Sequence, residues 1–172
     1  GLEVLTVIPK LSGASTDSPT LLGEAASIAE FEAFRGLRAE IRTRFEKIPG
    51  GKTIAVLSPL PGEGKTTVTL NLAKVMAMEG KRVLLIDADM RRPKLKGFLA
   101  TAGGPGLDAV LEGRASLEEA AQPSTIAGVS IVGMEEGHAD AAELAGSTLF
   151  DEVLRVAREN WDFVIVDNAP VL

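Results

Sequence analysis

The stretch TIAVLSPLPGEGKTTVTLNLAKVMAMEG, Thr53–Gly80, changes its hydrophobic period halfway along. Its opening, TIAVLS, is a continuous apolar run too short for a helix, which predicts a strand buried on both faces. In its second half Val68, Leu72, Val75 and Met76 recur at i, i+4, i+7 and i+8, a helical face that Gly80 brings to an end. Between the two, SPLPGEGKTT (Ser58–Thr67) sets two glycines, a lysine and two hydroxyls at a strand-to-helix junction. Gly62 and Gly64 let the backbone turn its N–H groups inward and approach an anion closely. A helix starting near Lys65 adds its positive dipole end. Lys65 has the reach for outer phosphates, and the Thr66 hydroxyl is a ligand for Mg²⁺. Pro61, Gly62, Glu63, Gly64, Lys65, Thr66 and Thr67 are therefore the candidate nucleotide-binding residues. The strict pattern carries Gly or Ala where this chain has Pro59. A glycine-rich turn with no ligand is the alternative, and the strand before and helix after favour phosphate.

Outward from this junction the same alternation continues. RVLLID and FVIVD read as buried strands and VSIVG as a further one. Ser147 can cap a helix in which Leu149, Val153, Val156 and Ala157 share a face. Strands apolar on both faces, alternating with helices, predict an α/β fold with a mostly parallel sheet and helices on both faces. With the phosphate loop, this is a P-loop NTPase. Upstream, a helix from about Ser27 turns Phe34, Leu37, Ile41 and Phe45 to a core and ends at Pro49-Gly50-Gly51. Residues 1–26 read as a separate segment: an apolar piece, GLEVLTVIP, then a Ser/Thr/Gly/Pro-rich flexible linker, KLSGASTDSPT. Residues 27–172 form the ATPase domain. The sequence stops soon after FVIVD, so the C-terminal part of the fold is expected to be missing.

Three aspartates end strands: Asp87 and Asp89 in VLLIDADMRRP, and Asp167 in DFVIVD. Ligands in open α/β sheets bind at the carboxyl ends of strands. Asp87 would point toward the phosphate loop if its strand neighbours TIAVL. Asp167 stands where a Walker B aspartate holds Mg²⁺, often through water. Each could instead be a solvated loop-end residue or a helix cap. Three together, beside a phosphate loop, favour a metal role for Thr66, Asp87 and Asp167.

Bulk properties remove other classes. The net charge of −6, from 18 basic and 24 acidic residues, argues against sequence-independent nucleic-acid binding. Without cysteine there is no disulfide framework, thiolate metal site or iron–sulfur cluster. His138 is the sole histidine and reads as a surface residue, Trp161 as packing, and the Met76 and Met78 pair as helix-face filler. Arg91 and Arg92 fit either a phosphate contact or plain surface charge. Glu32, Arg35, Arg38 and Arg42 form a charged stripe that, by itself, reads as a solvated helix face.

The full set of motifs resembles the bacterial tyrosine kinases, the cytoplasmic ATPase part of polysaccharide co-polymerases. The resemblance spans nearly the whole chain. It rests on Glu32-x-x-Arg35-x-x-Arg38 within EAFRGLRAEIRTR, on SPLPGEGKTT…NLA, on VLLIDADMRRP as the Walker A′ motif, on PGLDAVLEGRASLEEA, on ELAGS and on FVIVDNAPVL. It implies ATP-dependent phosphorylation of protein tyrosines, with ATP and Mg²⁺ as cofactors. Lys65, Asp87 and Asp89 would be the catalytic residues, and Glu32, Arg35 and Arg38 would mediate ring-like homo-oligomerisation. It further implies control of capsular or exopolysaccharide synthesis and export. The place would be the cytoplasmic face of the bacterial inner membrane, with a membrane activator segment on the same or a separate chain. GLEVLTVIP looks like the piece that follows the second transmembrane helix of membrane-linked members.

The chain departs from the family in three places. DNAP stands where many members have a double proline, EEGHADAAELAGS lacks the Pro-Asn-Pro often found before EL, and no residue is tyrosine. A second reading is thus an ATP-dependent assembly switch of a co-polymerase that does not phosphorylate itself. A third, a partitioning or division-site ATPase, would need a signature lysine near the start of the loop, where SPLPG has none.

Overall fold

The computed structural model describes residues 3–12, 19–23, 26–89, 93, 95–99, 103–134 and 147–169. Arg91, Arg92, His138, most of ELAGS, Pro170 and the middle of the linker lie outside the described residues. Among the described residues five strands form one sheet: β1 Lys52–Val56, β2 Val83–Ala88, β3 Gln122–Pro123, β4 Val129–Val132 and β5 Phe163–Asn168. Their order is β1-β5-β2-β4-β3. All pairings are parallel except the antiparallel β3–β4 pair, a two-residue strand too short for the sequence to reveal. The helices among the described residues are α1 Ile28–Phe45, α2 Lys65–Ala77, α3 Leu95–Leu99, α4 Leu107–Leu111, α5 Leu117–Ala120 and α6 Thr148–Asn160.

The fold is α/β, with helices on both faces of a mostly parallel sheet. Alternate strand residues divide between two cores, as a period of two requires. Val83, Leu85, Phe163 and Ile165 pack with α1, α2 and α3 side chains, whereas Leu84, Ile86, Val164 and Val166 pack with α4, α5 and α6. The strand TIAVL is the exception to expectation. β1 lies at the margin of the described sheet and its residues are half-buried, with Ala55 exposed, because only β5 pairs with it there. In α6 the buried face runs through Phe150, Val153 and Ala157, and Leu149 is exposed. The expected face was displaced by one residue at its N-terminal end. Met76 is buried, while Met78 at the C-cap of α2 is exposed rather than filling the helix face. Trp161 packs against the second core as expected.

Residues flanking the middle of the linker are bound to the domain. Leu11 and Leu22 lie in the first core. Glu3 pairs with Arg44 at 2.8 Å near the C-terminal end of α1. At its N-terminal end the buried carboxylate of Glu30 accepts the N–H groups of Ser12 and Ser27, and Ser27 caps the helix in return. The bonds from Ser12 and then Ser27 pull the Glu30 carboxyl from its ordinary 4.5 down to about 2. A carboxylate with a depressed folded pKa adds stability that is complete above its unfolded value and is lost as pH falls through the folded one. The contribution of Glu30 is therefore whole above about pH 4.5 and gone near about pH 2. Glu30→Gln should be less stable than wild type at neutral pH, with the difference in urea midpoint closing across that window. A difference that stays constant from neutral to acid would contradict this anchor.

Candidate active site

β1 ends at Val56, whose register partner is Asp167 on β5. On the other side of β5, Asp167 is level with Asp87 on β2. The phosphate loop leaves β1 at this carboxyl edge and enters α2, so loop and aspartates meet where an α/β sheet binds ligands. Asp87 is not beside the phosphate-loop strand, contrary to the condition attached to it, because β5 lies between them. A crossover from β1 through α2 can skip one strand position and still cover the sheet, and a later strand fills the gap.

Gly62 and Gly64 have φ of +79° and +90°, a region that side chains rarely occupy. Gly64 is the N-cap of α2 and offers no side-chain cap to the first-turn N–H groups. Those groups remain available to an anion. Glu63 accepts the Leu60 N–H at 2.9 Å and braces the loop. The Lys65 ammonium donates to the Ser58 hydroxyl at 2.9 Å, and Ser58 donates to the Leu60 carbonyl at 2.9 Å. Ser58, two residues past the end of β1, is thus a partner of the lysine that sequence reasoning passed over.

The contact that joins the two motifs is between Thr66 and Asp167. The Thr66 hydroxyl donates to Asp167 Oδ2 at 2.7 Å, across 101 residues of sequence. Thr69, one turn further along α2, donates to Oδ1 at 3.3 Å. Its i, i+3 spacing from Thr66 was the available signal for this residue. Burial pushes the Asp167 carboxyl up, Thr66, Thr69 and Lys65 pull it back, and Asp89 adds to the rise. Asp87, also buried, accepts the N–H of Leu95 at 2.8 Å and of Asp89 at 3.2 Å, so it ties the end of β2 to the start of α3.

Mg²⁺ is usually held by one or two carboxylates together with substrate phosphates and water. A hydroxyl and a carboxylate touching at the mouth of a phosphate loop fit such an ion. Among the described residues no group of three or more His, Cys, Asp or Glu comes together, so ligand oxygens would complete the shell. The Thr67 hydroxyl oxygen accepts the Thr20 N–H at 3.4 Å, which leaves its own O–H free to donate.

Away from this edge, Glu32 and Arg35 pair with each other at 2.9 Å on the exposed side of α1. Arg38 turns inward. It donates to the Val75 carbonyl at 2.9 Å, one of the last carbonyls of α2, and pairs with Glu79 at 3.0 Å. Arg42 joins the same glutamate at 3.1 Å. The arginine stripe therefore includes a clamp between α1 and the C-terminal end of α2. Among the described residues no helix is long and apolar enough to cross a membrane.

Residues 51–172 match the family model described as AAA domain. The tyrosine-protein kinase Ptk of Acinetobacter johnsonii is 32% identical over 154 residues, covering 90% of this chain and 21% of that protein. The succinoglycan biosynthesis transport protein ExoP of Rhizobium meliloti (strain 1021) is 36% identical over 121 residues, covering 69% of this chain and 15% of that protein. The solved structure of the BceF tyrosine kinase domain superposes with a TM-score of 0.73 at 34% identity, over 84% of this chain and 57% of that one. The chain thus spans about a fifth of the length of Ptk and little more than half of the BceF domain.

Proposed function

We propose, from the premise that this chain belongs to the AAA-domain family and to its bacterial tyrosine-kinase branch, that it binds Mg-ATP and transfers the outer phosphoryl group to protein tyrosines. The observation that carries the reading is the 2.7 Å contact between Thr66 and Asp167. It unites the phosphate loop with the strand-end carboxylate that a metal–nucleotide complex needs.

The residues divide the work by position. The backbone N–H groups at Gly62, Gly64 and Lys65 receive phosphate oxygens, and the Lys65 ammonium leaves Ser58 for the outer phosphates. Thr66 and Asp167 hold Mg²⁺. When bound, the ion neutralises charge on the phosphates. Asp87 and Asp89 lie at the adjacent strand end, and Asp87 would orient the incoming tyrosine hydroxyl or order the metal. Phosphoryl transfer depends chiefly on positioning and charge stabilisation, so few groups suffice.

The chain has no tyrosine, so the acceptor belongs to another segment or another protein. That fact also favours the second reading, an ATP-dependent assembly switch. The biological role is control of capsular or exopolysaccharide synthesis and export, at the cytoplasmic face of the inner membrane, together with a membrane activator segment. ExoP, a relative named for succinoglycan transport, supports this role. A ring of subunits would meet through α1. Glu32 and Arg35 are its exposed members, with side chains 58% and 51% accessible, while Arg38 serves the fold of its own subunit.

Mass spectrometry of the full-length protein and its protein substrates after incubation with Mg-ATP tests the reading. Phosphotyrosine that disappears in Lys65→Ala is expected. Unchanged phosphotyrosine in that variant would sink the kinase. ATP binding without phosphotyrosine would leave the switch.

A further inference from the structure

Asn71 is a polar residue on the apolar side of α2, about one turn beyond Thr67, the last residue of the phosphate loop. It is fully buried, and nothing in the chemistry above uses it. Its amide has three partners. Oδ1 accepts the Leu22 N–H at 2.7 Å, and Nδ2 donates to the Thr20 carbonyl at 2.7 Å and to the Thr67 carbonyl at 2.8 Å. The first two bonds are those a neighbouring strand would make, so one side chain stands in for a strand against Thr20–Leu22. The same three residues are fixed to the same helix twice more. The Thr20 N–H reaches Thr67 Oγ1 at 3.4 Å, and the Lys74 ammonium donates to the Leu22 carbonyl. The Leu22 side chain is sealed in the first core.

The start of α2 needs outside support. Its N-cap, Gly64, has no side chain to hold the first turn. Thr67, the last residue of the phosphate loop, instead has its carbonyl and hydroxyl both tied to the Asn71–Thr20 cluster.

We propose that Asn71 is a positioning residue of the nucleotide site. By binding Thr20–Leu22 to Thr67 it holds the first turn of α2, and so the N–H groups of Lys65 and Thr66 and the Thr66 hydroxyl, where a polyphosphate requires them. The inference rests on the phosphate-site reading above. Coupling of this kind is reciprocal: if the strap tightens nucleotide binding, nucleotide must tighten the strap.

Two measurements on the intact protein test this. In the first, Mg-ADP is titrated calorimetrically into wild type, Asn71→Ala and Leu72→Ala. Leu72 is equally buried on the same helix, but its apolar side chain makes none of these bonds. Asn71→Ala should raise Kd by at least about tenfold, since small misplacement of binding groups is costly. Leu72→Ala should leave Kd unchanged while lowering the thermal midpoint. Equal Kd in Asn71→Ala and wild type, or an equal rise in both variants, overturns the proposal. In the second, amide hydrogen exchange at Thr20 and Leu22 is followed in wild type, where no variant has to fold. Exchange should slow severalfold on saturation with Mg-ADP, and unchanged exchange overturns the proposal. Wild type that bound no Mg-ADP would overturn the phosphate-site reading itself, and this inference with it, before any variant is compared.

Discussion

On the proposed kinase reading, Asp167→Asn is expected to slow tyrosine phosphorylation by about 10²–10³-fold, the usual cost of losing one preorganised electrostatic group. The fold should survive it. Burial already works against the charged form of Asp167, so removing the charge relieves a penalty. The Asn side-chain oxygen can still accept from Thr66 or Thr69, one of the two hydroxyls that now donate to the carboxylate. The change in unfolding free energy should therefore stay within about 1 kcal/mol. Initial rates of phosphotyrosine formation and a urea curve on the same preparation check both halves. A loss of activity that followed a collapse in stability would mean that Asp167 holds the fold rather than the ion.

Phe34→Ala should produce the largest loss of stability. Phe34 is completely buried and is the main side chain that α1 sends into the first core, beside Ile41. Truncating such a residue costs about 3–5 kcal/mol, the lost transfer energy plus the cavity. That is a large share of the roughly 5–15 kcal/mol that keeps a domain folded. Phe34 faces inward, away from the exposed Glu32–Arg35 pair. The variant therefore separates the helix's role in folding from any role between subunits. Denaturant unfolding with an unchanged slope and a much lower midpoint is expected. A loss below about 1 kcal/mol would mean that α1 does not belong to the core.

Where local pattern and tertiary packing asked for the same residue, the sequence could be read directly. The phosphate loop, the helix after it, β2, β5 and the Ser147 cap are of this kind, because glycine geometry, period and capping each act within a few residues. Strand order is different. β1 and β2 are both apolar and both end near candidate site residues, and nothing local says that β5 separates them. The anchoring of Leu11 and Leu22 was hidden by a Ser/Gly-rich surrounding, where two leucines carry no period. Arg38 reads as part of a charged stripe, and only the approach of the end of α2 gives its guanidinium a carbonyl to bond. Asn71 could have been noticed: an amide on a helix face of Leu72, Val75 and Met76 must find buried partners, though sequence does not say which. Gly51 likewise shows its reason only in three dimensions. Any Cβ there would overlap the Arg158 and Trp161 carbonyls at the end of α6.

The most direct test of the site is the affinity of the intact protein for ADP with and without Mg²⁺, measured calorimetrically. If Thr66 and Asp167 together form a metal–nucleotide site, Mg²⁺ tightens ADP binding in wild type, and Asp167→Asn loses that gain while still binding ADP through the loop. Equal ADP affinity with and without Mg²⁺ in wild type would contradict it.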